Sequence, residues 1–561
     1  MRTIPSADRT KQTMIPDVSI DQGSQNKTPI CKDSKANVSR ATLSFADNHE
    51  TSERRQVQNS TGSDAQQART MVEMSKCKKW ALLWLFSFSL FVDQWSYNSF
   101  FIFSPPISEE LSIPTPQQSW IVTSYLITFG STILLFGRVA DLFPPANVFS
   151  YGFISLASLN LIMSFLPELY TFFIFRALSG IAGAALIPSA FKLISGIFRP
   201  DELRRALTIY TSAAPMGGAS GVILAGVVQL IPNQGQMSAW RWFSRILAVI
   251  VGGPAIGSLF WIPRSIGVEK EESRNDAKDK LKKLDLGGSF LILAAVLLLI
   301  LSLTMGGDHG FQTAYFIAPF LISMTLFPAF FWYESSLPEG YPLLAPSTFK
   351  IPNVAVFLFL GLILFSWWSV NNLALVNIYL TYRDEKAIIV GVRLLPQAIT
   401  SIVVTLILSK WSWFTQHPKI AISTGLSLAM GGYALMSQSA SQVGSDYWKF
   451  VFPPFIFGSG GAMMVYSATN VGVMTTVPPE IAGTIGGLLQ VFFQVGASLA
   501  LGIQAGLITI NAGAFGNYKN VQASFYFEIG WLGLGLLVFL LGYRTVKPNK
   551  TDVETLQHGE E

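Results

Sequence analysis

The chain has 561 residues, of which 50% are hydrophobic, 13% are aromatic and only 13% are charged. Soluble domains carry about 25% charged residues, so this composition excludes a soluble enzyme, a secreted disulfide scaffold and a fibrous protein. The net charge is +5. The basic residues cluster in polar segments between apolar stretches, which is typical of membrane topology and does not indicate nucleic-acid binding. We therefore expect an all-α protein that crosses a lipid bilayer many times.

The apolar part of the chain follows a long polar segment. Residues 1–78 are polar and lack helical or strand periodicity, which predicts a disordered tail. From there to residue 543, apolar runs of about 20 residues recur, and each is long enough to cross roughly 30 Å of hydrocarbon as a helix. About fourteen such spans are predicted by this criterion. Their continuous hydrophobicity excludes a transmembrane β-barrel, in which apolar and polar residues would alternate.

The spans form two groups of six with two more between them. The predicted segments are a cytoplasmic tail at 1–78, a six-helix half at 79–263, a basic cytoplasmic loop at 264–285, two inserted helices at 286–333, a cytoplasmic loop at 334–353, a second six-helix half at 354–543 and a cytoplasmic tail at 544–561. A faint repeat supports two related halves, because the pattern Trp-Ser-x-Asn at 95–98 recurs at 368–371. Duplicated halves around a midplane site are typical of secondary transporters.

Basic residues indicate which way the spans are oriented. Arg138 and the loop at 264–285 lie on the side that carries both tails, whereas the opposite loops hold few lysines and arginines. The positive-inside rule therefore predicts that both termini are cytoplasmic. The glycosylation sequons at Asn26, Asn37 and Asn59 should then remain unmodified. We expect the plasma membrane rather than the vacuolar or another internal membrane.

Polar and aromatic residues recur at the same depth of the first and ninth spans, and they are the candidate lining of a solute cavity. These residues are Gln94, Tyr97, Asn98, Trp367, Trp368, Asn371 and Asn372. Few charges accompany them, which favours a neutral or weakly cationic solute. Four histidines, none paired at ligand spacing, indicate no metal site. The chain lacks a Gly-x-x-x-x-Gly-Lys-Ser/Thr loop, so neither ATP nor another cofactor is expected.

Three glycine-containing motifs mark the first half of the chain. The second span ends in the motif Gly137-Arg138-Val139-Ala140-Asp141, the fourth contains Arg176 with Gly180 and Gly183, and the fifth contains Gly217 and Gly221. The last pair falls on one helical face and permits close helix packing, which we expect against the partner half.

On these marks, residues 80–543 resemble the major facilitator superfamily, and within it the fourteen-spanner drug:proton antiporter family. The likeness is closest to the fungal aminotriazole-resistance and boron-exporter type group. This resemblance implies an alternating-access transporter in which Asp141 caps a neighbouring helix N-terminus and latches the outward-facing state. The latch should be weak, because Leu142 and the residues after it replace the usual basic ones. A simple polar turn is the alternative. The fifth span lacks the proline of the usual antiporter motif, which puts antiport in doubt.

An aspartate and an arginine stand inside apolar spans of the first half. An arginine at such a depth needs a partner or a water-filled cavity, and Asp93 in the first span is the nearest candidate for Arg176 in the fourth. The resemblance implies that both spans line the cavity and that this pair couples transport to protons. A purely structural ion pair is the alternative.

These features together predict proton-coupled export of small toxic or xenobiotic solutes. The partners are then a small-molecule substrate, protons and the lipid bilayer, and the chain is not an enzyme. Two other functions stay open. One is a uniporter or importer of a small nutrient such as ammonium or an amino acid, and the other is a non-transporting membrane sensor.

Overall fold

In the part of the chain that the structure describes, all regular secondary structure is helical. The structure is a computed structural model, and it describes residues 74–113, 120–231, 235–264, 266, 284–338, 341–344, 346–411, 413–439 and 444–544. The sequons at Asn26, Asn37 and Asn59 lie outside these ranges, as do nearly all of the basic loop at 264–285 and nearly all of both tails.

Seventeen α-helices are numbered in chain order over the described residues. They are α1 Lys76–Glu110, α2 Trp120–Leu142, α3 Pro145–Met163, α4 Leu169–Ala184, α5 Leu186–Ile197, α6 Pro200–Val228, α7 Ala239–Trp261, α8 Leu286–His309, α9 Ala314–Ser336, α10 Val354–Leu364, α11 Ser366–Asn377, α12 Ala387–Lys410, α13 Trp413–Gln416, α14 Pro418–Met436, α15 Phe452–Thr476, α16 Ala482–Leu507 and α17 Tyr518–Gly542. Single π-helical turns occupy Ile378–Tyr382 and Tyr447–Val451, and short 3₁₀ turns occupy Gly235–Met237, Pro346–Lys350, Pro479–Ile481 and Ala514–Gly516.

Twelve helical segments of the described chain are long and apolar enough to cross a membrane. In two of these segments a pair of helices forms one span, at Leu169–Ile197 and at Val354–Leu380. Helix α1 has 35 residues and α14 has 19, so each also reaches across a bilayer at 1.5 Å per residue. A total of fourteen spans is therefore compatible with the structure, and the expected all-helical membrane fold is confirmed.

Helices of the first group contact helices of the second along two seams. In one seam α2 and α5 pack against α16, and in the other α6 packs against α12 and α15. The inserted hairpin α8–α9 lies beside the first seam, where α8 contacts both α2 and α16. Its second helix carries large exposed apolar side chains, such as Trp332 at 74% exposure, as expected for a surface that faces lipid. The bundle therefore has an interior between its two halves.

Successive spans alternate in direction, so the two ends of the bundle can be told apart. At the end that holds Lys76, the ring of Trp80 meets Phe198 at 5.4 Å between ring centroids. At the opposite end, Arg241 forms a salt bridge of 2.9 Å with Glu110. We call these the tail end and the far end of the bundle.

Candidate functional site

A small cavity of about 50 Å³ lies in the middle of the bundle, between α1 and α6 on one side and α11, α12 and α15 on the other. Its lining residues are Gln94, Tyr97, Asn98, Phe101, Ala214, Pro215, Gly218, Phe365, Trp368, Ser369, Asn372, Gln397 and Tyr466. Aromatic rings and uncharged amides dominate this list, and no lining residue is ionised at neutral pH. We call it the central cavity.

Five of the seven residues expected in the cavity line it, and Trp367 and Asn371 do not. Trp367 is fully buried behind the wall, where its Nε1 donates to Ser459 Oγ at 3.1 Å. Asn371 is also fully buried. The reason is helical geometry, because Trp368 and Asn372 lie one turn apart on a single face. Their preceding neighbours are rotated by about 100° and point into the second half.

Several cavity residues were not anticipated from the sequence. Gln397 of α12 donates from Nε2 to Asn372 Oδ1 at 3.1 Å, which joins two helices across the cavity wall. Gln397 carries an isolated side-chain amide inside an apolar span, and this sequence signal could have identified it as a cavity residue. Phe365, Trp368 and Tyr466 form an aromatic cluster with centroid separations of 5.7 to 6.2 Å. That cluster depends on the packing of α11 against α15, which no local pattern indicates.

Asp93 lies directly behind the cavity wall. It is 2% exposed, its Oδ1 accepts a hydrogen bond from the Tyr125 hydroxyl at 2.5 Å, and its Oδ2 accepts one from Gln94 Nε2 at 3.1 Å. Gln94 itself lines the cavity. Gly183 leaves the space for this arrangement, because a Cβ at that position would collide with the Tyr125 hydroxyl. Two donors therefore converge on a carboxylate that is one side chain away from the cavity.

Arg176 is fully buried in α4 and is held by backbone oxygens and aromatic rings. Its Nε donates to the Ile121 carbonyl at 3.2 Å and its Nη1 to the Ser96 carbonyl at 3.0 Å. The guanidinium lies 3.9 Å from the ring centre of Phe100 and 4.9 Å from that of Tyr125. The expected direct ion pair with Asp93 is wrong. Tyr125 stands between the two groups and contacts both.

A network of polar contacts closes the tail end of the bundle. Asp141 at the end of α2 accepts hydrogen bonds from the Gly483 amide at 3.1 Å and from the Thr484 amide at 2.8 Å and hydroxyl at 2.6 Å. It thus caps the N-terminus of α16, as expected. Lys192 of α5 lies 3.3 Å from Asp141 and donates to the Pro479 and Glu480 carbonyls. We call these contacts the latch.

Lys192 was missed from the sequence, and it gives Asp141 the basic partner whose absence was the reason to expect a weak latch. The basic residues that are lacking after Asp141 are replaced by a lysine that comes from another span. Close backbone contact adds to the closure, because a Cβ at Gly137 would collide with the Gly483 carbonyl. The first and second halves are therefore joined at the tail end.

At the far end the two halves separate around a much larger cavity of about 800 Å³, which we call the vestibule. Helices α1, α2, α11 and α16 supply most of its wall. The inserted helix α8 contributes Ile300, Leu303, Thr304 and Gly307. The side chains of Tyr97 and Phe101 line both the vestibule and the central cavity. A closed tail end and an open far end describe an outward-facing conformation if the tails are cytoplasmic.

Glycines of α4 and α6 let helices of the first half approach closely. A Cβ at Gly180 would collide with the Tyr125 carbonyl, and one at Gly217 would collide with the Phe91 carbonyl. At Gly221 a Cβ would meet Ser99 Oγ at 3.0 Å and the Trp95 ring at 3.2 Å. Close packing is thus confirmed, but its expected partner was wrong. The Gly217 and Gly221 face packs on α1 of the same half and not on the second half.

The profile of the Major Facilitator Superfamily matches residues 86–501, which is most of the chain. The chain belongs to this superfamily. Its members are transporters of small molecules across membranes and in general not enzymes, so the two cavities and the latch are parts of a transport protein. The match runs from within α1 to within α16, so it includes the inserted hairpin and ends before α17.

Curated relatives match over most of their own length. The chain is 26% identical to a cephamycin export protein of Amycolatopsis lactamdurans over 79% of this chain and 87% of that protein. It is 23% identical to a multidrug transporter of Aspergillus fumigatus over 80% and 83%. It is 25% identical to a low affinity ammonium transporter of Saccharomyces cerevisiae over 79% and 84%. Antibiotic and drug exporters are thus among its relatives.

Among solved structures, the human organic anion transporter MFSD10 superposes with a TM-score of 0.57. The alignment covers 82% of this chain and 99% of that one, at 13% sequence identity. At this identity the likeness concerns the fold alone.

Proposed function

We propose that this transporter exports small toxic or xenobiotic solutes across the plasma membrane in exchange for protons, as a fourteen-spanner drug:proton antiporter of the aminotriazole-resistance type. In this proposal both termini are cytoplasmic, so the vestibule opens outward and the latch faces the cytoplasm. The exporters among the relatives support the solute class. The aromatic and uncharged lining of the central cavity supports a neutral or weakly cationic solute with an apolar body.

The observation that carries proton coupling is the position of Asp93. This carboxyl group is buried and accepts a hydrogen bond from Gln94 of the cavity wall. Its other donor is the hydroxyl of Tyr125, whose ring lies 4.9 Å from the guanidinium of Arg176. A carboxylate in such a place can bind a proton from the cavity and release it when the surrounding helices move. Membrane-embedded acids of this kind are typical of proton relays in transporters. Arg176 then sets the local positive field without forming an ion pair with Asp93.

The low affinity ammonium transporter among the relatives supports a second candidate, uptake of a small nutrient in the same fold. Purified protein in liposomes that contain a pH-sensitive dye distinguishes the two. We expect members of a panel of small toxicants to drive protons out of acidic-inside vesicles, and a tenfold excess of ammonium not to compete. Protein-dependent uptake of isotope-labelled ammonium, with no proton release in response to any toxicant, would favour the second candidate.

A further inference from the structure

A second carboxyl group is buried in the other half of the transporter. Glu528 of α17 is fully buried, and its Oε2 lies 2.7 Å from the hydroxyl oxygen of Ser366 at the start of α11. That same hydroxyl oxygen lies 2.7 Å from the carbonyl oxygen of Ile363, one turn earlier in the chain. Ser366 therefore has two close oxygen neighbours, and one of them, the carbonyl, can only accept a hydrogen bond.

Counting hydrogens decides the state of Glu528. A serine hydroxyl has one hydrogen to donate, and it cannot donate fully to two acceptors. Both contacts become normal hydrogen bonds if Ser366 donates to Ile363 and Glu528 donates to Ser366. Glu528 must then carry a proton.

Among the described residues, Ser366 is the one that forms a hydrogen bond with Glu528, and none forms a salt bridge with it. Tyr433 of α14, the titratable side chain that faces it, donates its hydroxyl to the Trp367 carbonyl at 3.2 Å. Within the described ranges no lysine, arginine or histidine forms a salt bridge with Glu528, and its Oε1 has no hydrogen-bond partner. A buried carboxylate without donors or a countercharge is strongly unfavourable, whereas a neutral acid is not.

We propose that Glu528 is a permanently protonated acid that positions the break between α10 and α11. The break lies at Phe365, and the cavity residues Trp368 and Asn372 follow it on one helical face. The hydrogen bond from Glu528 holds Ser366, the first residue after the break, against α17. The contribution of Glu528 to solute binding rests on the proposed transport function, whereas the protonation state of Glu528 is independent of that function.

The two buried acids of this transporter then have opposite roles. Asp93 accepts two hydrogen bonds and lies next to the cavity, which suits a group that exchanges protons. Glu528 is fully buried, faces Tyr433 and in this proposal donates a hydrogen bond to Ser366, which suits a group that keeps its proton.

Infrared difference spectroscopy of the full chain in lipid tests the protonation state directly. The wild-type protein should show a band of a hydrogen-bonded carboxylic acid that is lost in Glu528→Gln and unchanged from mildly acidic to mildly alkaline pH. Disappearance of the band within that pH range, or identical spectra of wild type and variant, would overturn the proposal. This measurement needs no transport and stays valid if the solutes prove to be different.

Transport by two variants tests the positioning role. Glutamine keeps the donor, so Glu528→Gln should retain KM and the pH profile, whereas Glu528→Ala should raise KM about tenfold through loss of one buried hydrogen bond and leave the pH profile intact. Loss of pH dependence in Glu528→Gln would instead make Glu528 a proton carrier and refute the assignment. If the alanine variant does not fold, the glutamine variant and the infrared band still decide the matter.

Discussion

Tyr125 donates its hydroxyl to Asp93 at 2.5 Å, and the same tyrosine ring lies 4.9 Å from the guanidinium of Arg176. A single aromatic residue of α2 thus connects an acid of α1 to a base of α4. Because the acid and the base do not touch, movement of α1 relative to α4 can change their separation without breaking a salt bridge. This arrangement makes Asp93 the residue to test first.

Replacing Asp93 by asparagine should remove the response of export to a pH gradient. Asparagine keeps the size and accepts one of the two hydrogen bonds, but it does not titrate. We expect the variant to reach the membrane and bind solute, and to lose pH-driven export in the liposome assay. Export that still follows the pH gradient would show that another group couples transport to protons. Failure to fold unless Arg176 is also neutralised would favour a structural role.

Replacing Lys192 by methionine should weaken the latch. Methionine keeps the length of the side chain but removes the positive charge next to Asp141. The buried carboxylate then lacks its cation, which lowers stability by about 3–5 kcal/mol in comparable buried pairs. We expect the tail end to open more often. Leu134 is buried at the contact between α2 and α16 and reports on this opening. In a protein with Cys31 and Cys77 replaced by serine, Leu134→Cys should then react faster with a membrane-permeant thiol reagent. An unchanged rate would show that Lys192 does not hold the halves together.

Replacing Gly221 by leucine should abolish transport and lower the yield of folded protein. The side chain would collide with Trp95 and Ser99 of α1, and overpacking of this kind costs about 1–3 kcal/mol or more. Gly253→Leu in α7 is the matched control, because a Cβ there meets nothing within 4 Å. We expect normal yield from the control. Equal yields from both variants in membrane extracts would contradict the packing of α6 on α1.

Cysteines in the inserted helix α8 should reveal that it lines the vestibule. Thr304 lies in the vestibule wall, whereas Ser302 is fully buried on another face of the same helix. In the background without native cysteines, Thr304→Cys should react with a membrane-impermeant thiol reagent added from outside, and solute should protect it. Ser302→Cys should not react. If Thr304→Cys does not react either, α8 lies outside the solute pathway, and reaction of Ser302→Cys alone would show that another face of α8 lines the vestibule.

The orientation can be tested on the intact chain. Asn26, Asn37 and Asn59 match the glycosylation sequon, and cytoplasmic tails would never meet the glycosylating enzymes. We therefore expect no mobility shift after enzymatic deglycosylation. A sequon engineered into a loop at the far end, next to Glu110, is the positive control and should be modified. Modification of any native sequon would reverse the predicted topology.

The amino-acid sequence by itself determined the class of the protein, since long apolar runs can only be buried in lipid as helices. It also determined that Gly217 and Gly221 pack closely, because this depends on residue type and local spacing, whereas the capping role of Asp141 was implied by the family resemblance. It could not decide which face of α11 points inward, so Trp367 and Asn371 were misplaced. Which residues of α11 face the cavity and which face the core depends on how the helix is rotated about its axis. That rotation is set by neighbouring helices that are far away in sequence.

Only the tertiary structure decided the chemistry of the charged residues. Lys192 and Asp141 are 51 positions apart, Tyr125 separates Asp93 from Arg176, and Ser366 meets Glu528 across 162 positions. A buried polar group is satisfied by whichever partner packing brings within about 3 Å, and sequence spacing does not encode that distance. The inserted helix α8 became part of the vestibule for the same reason, because its contact with α2 and α16 is set by how the two halves close around the solute path.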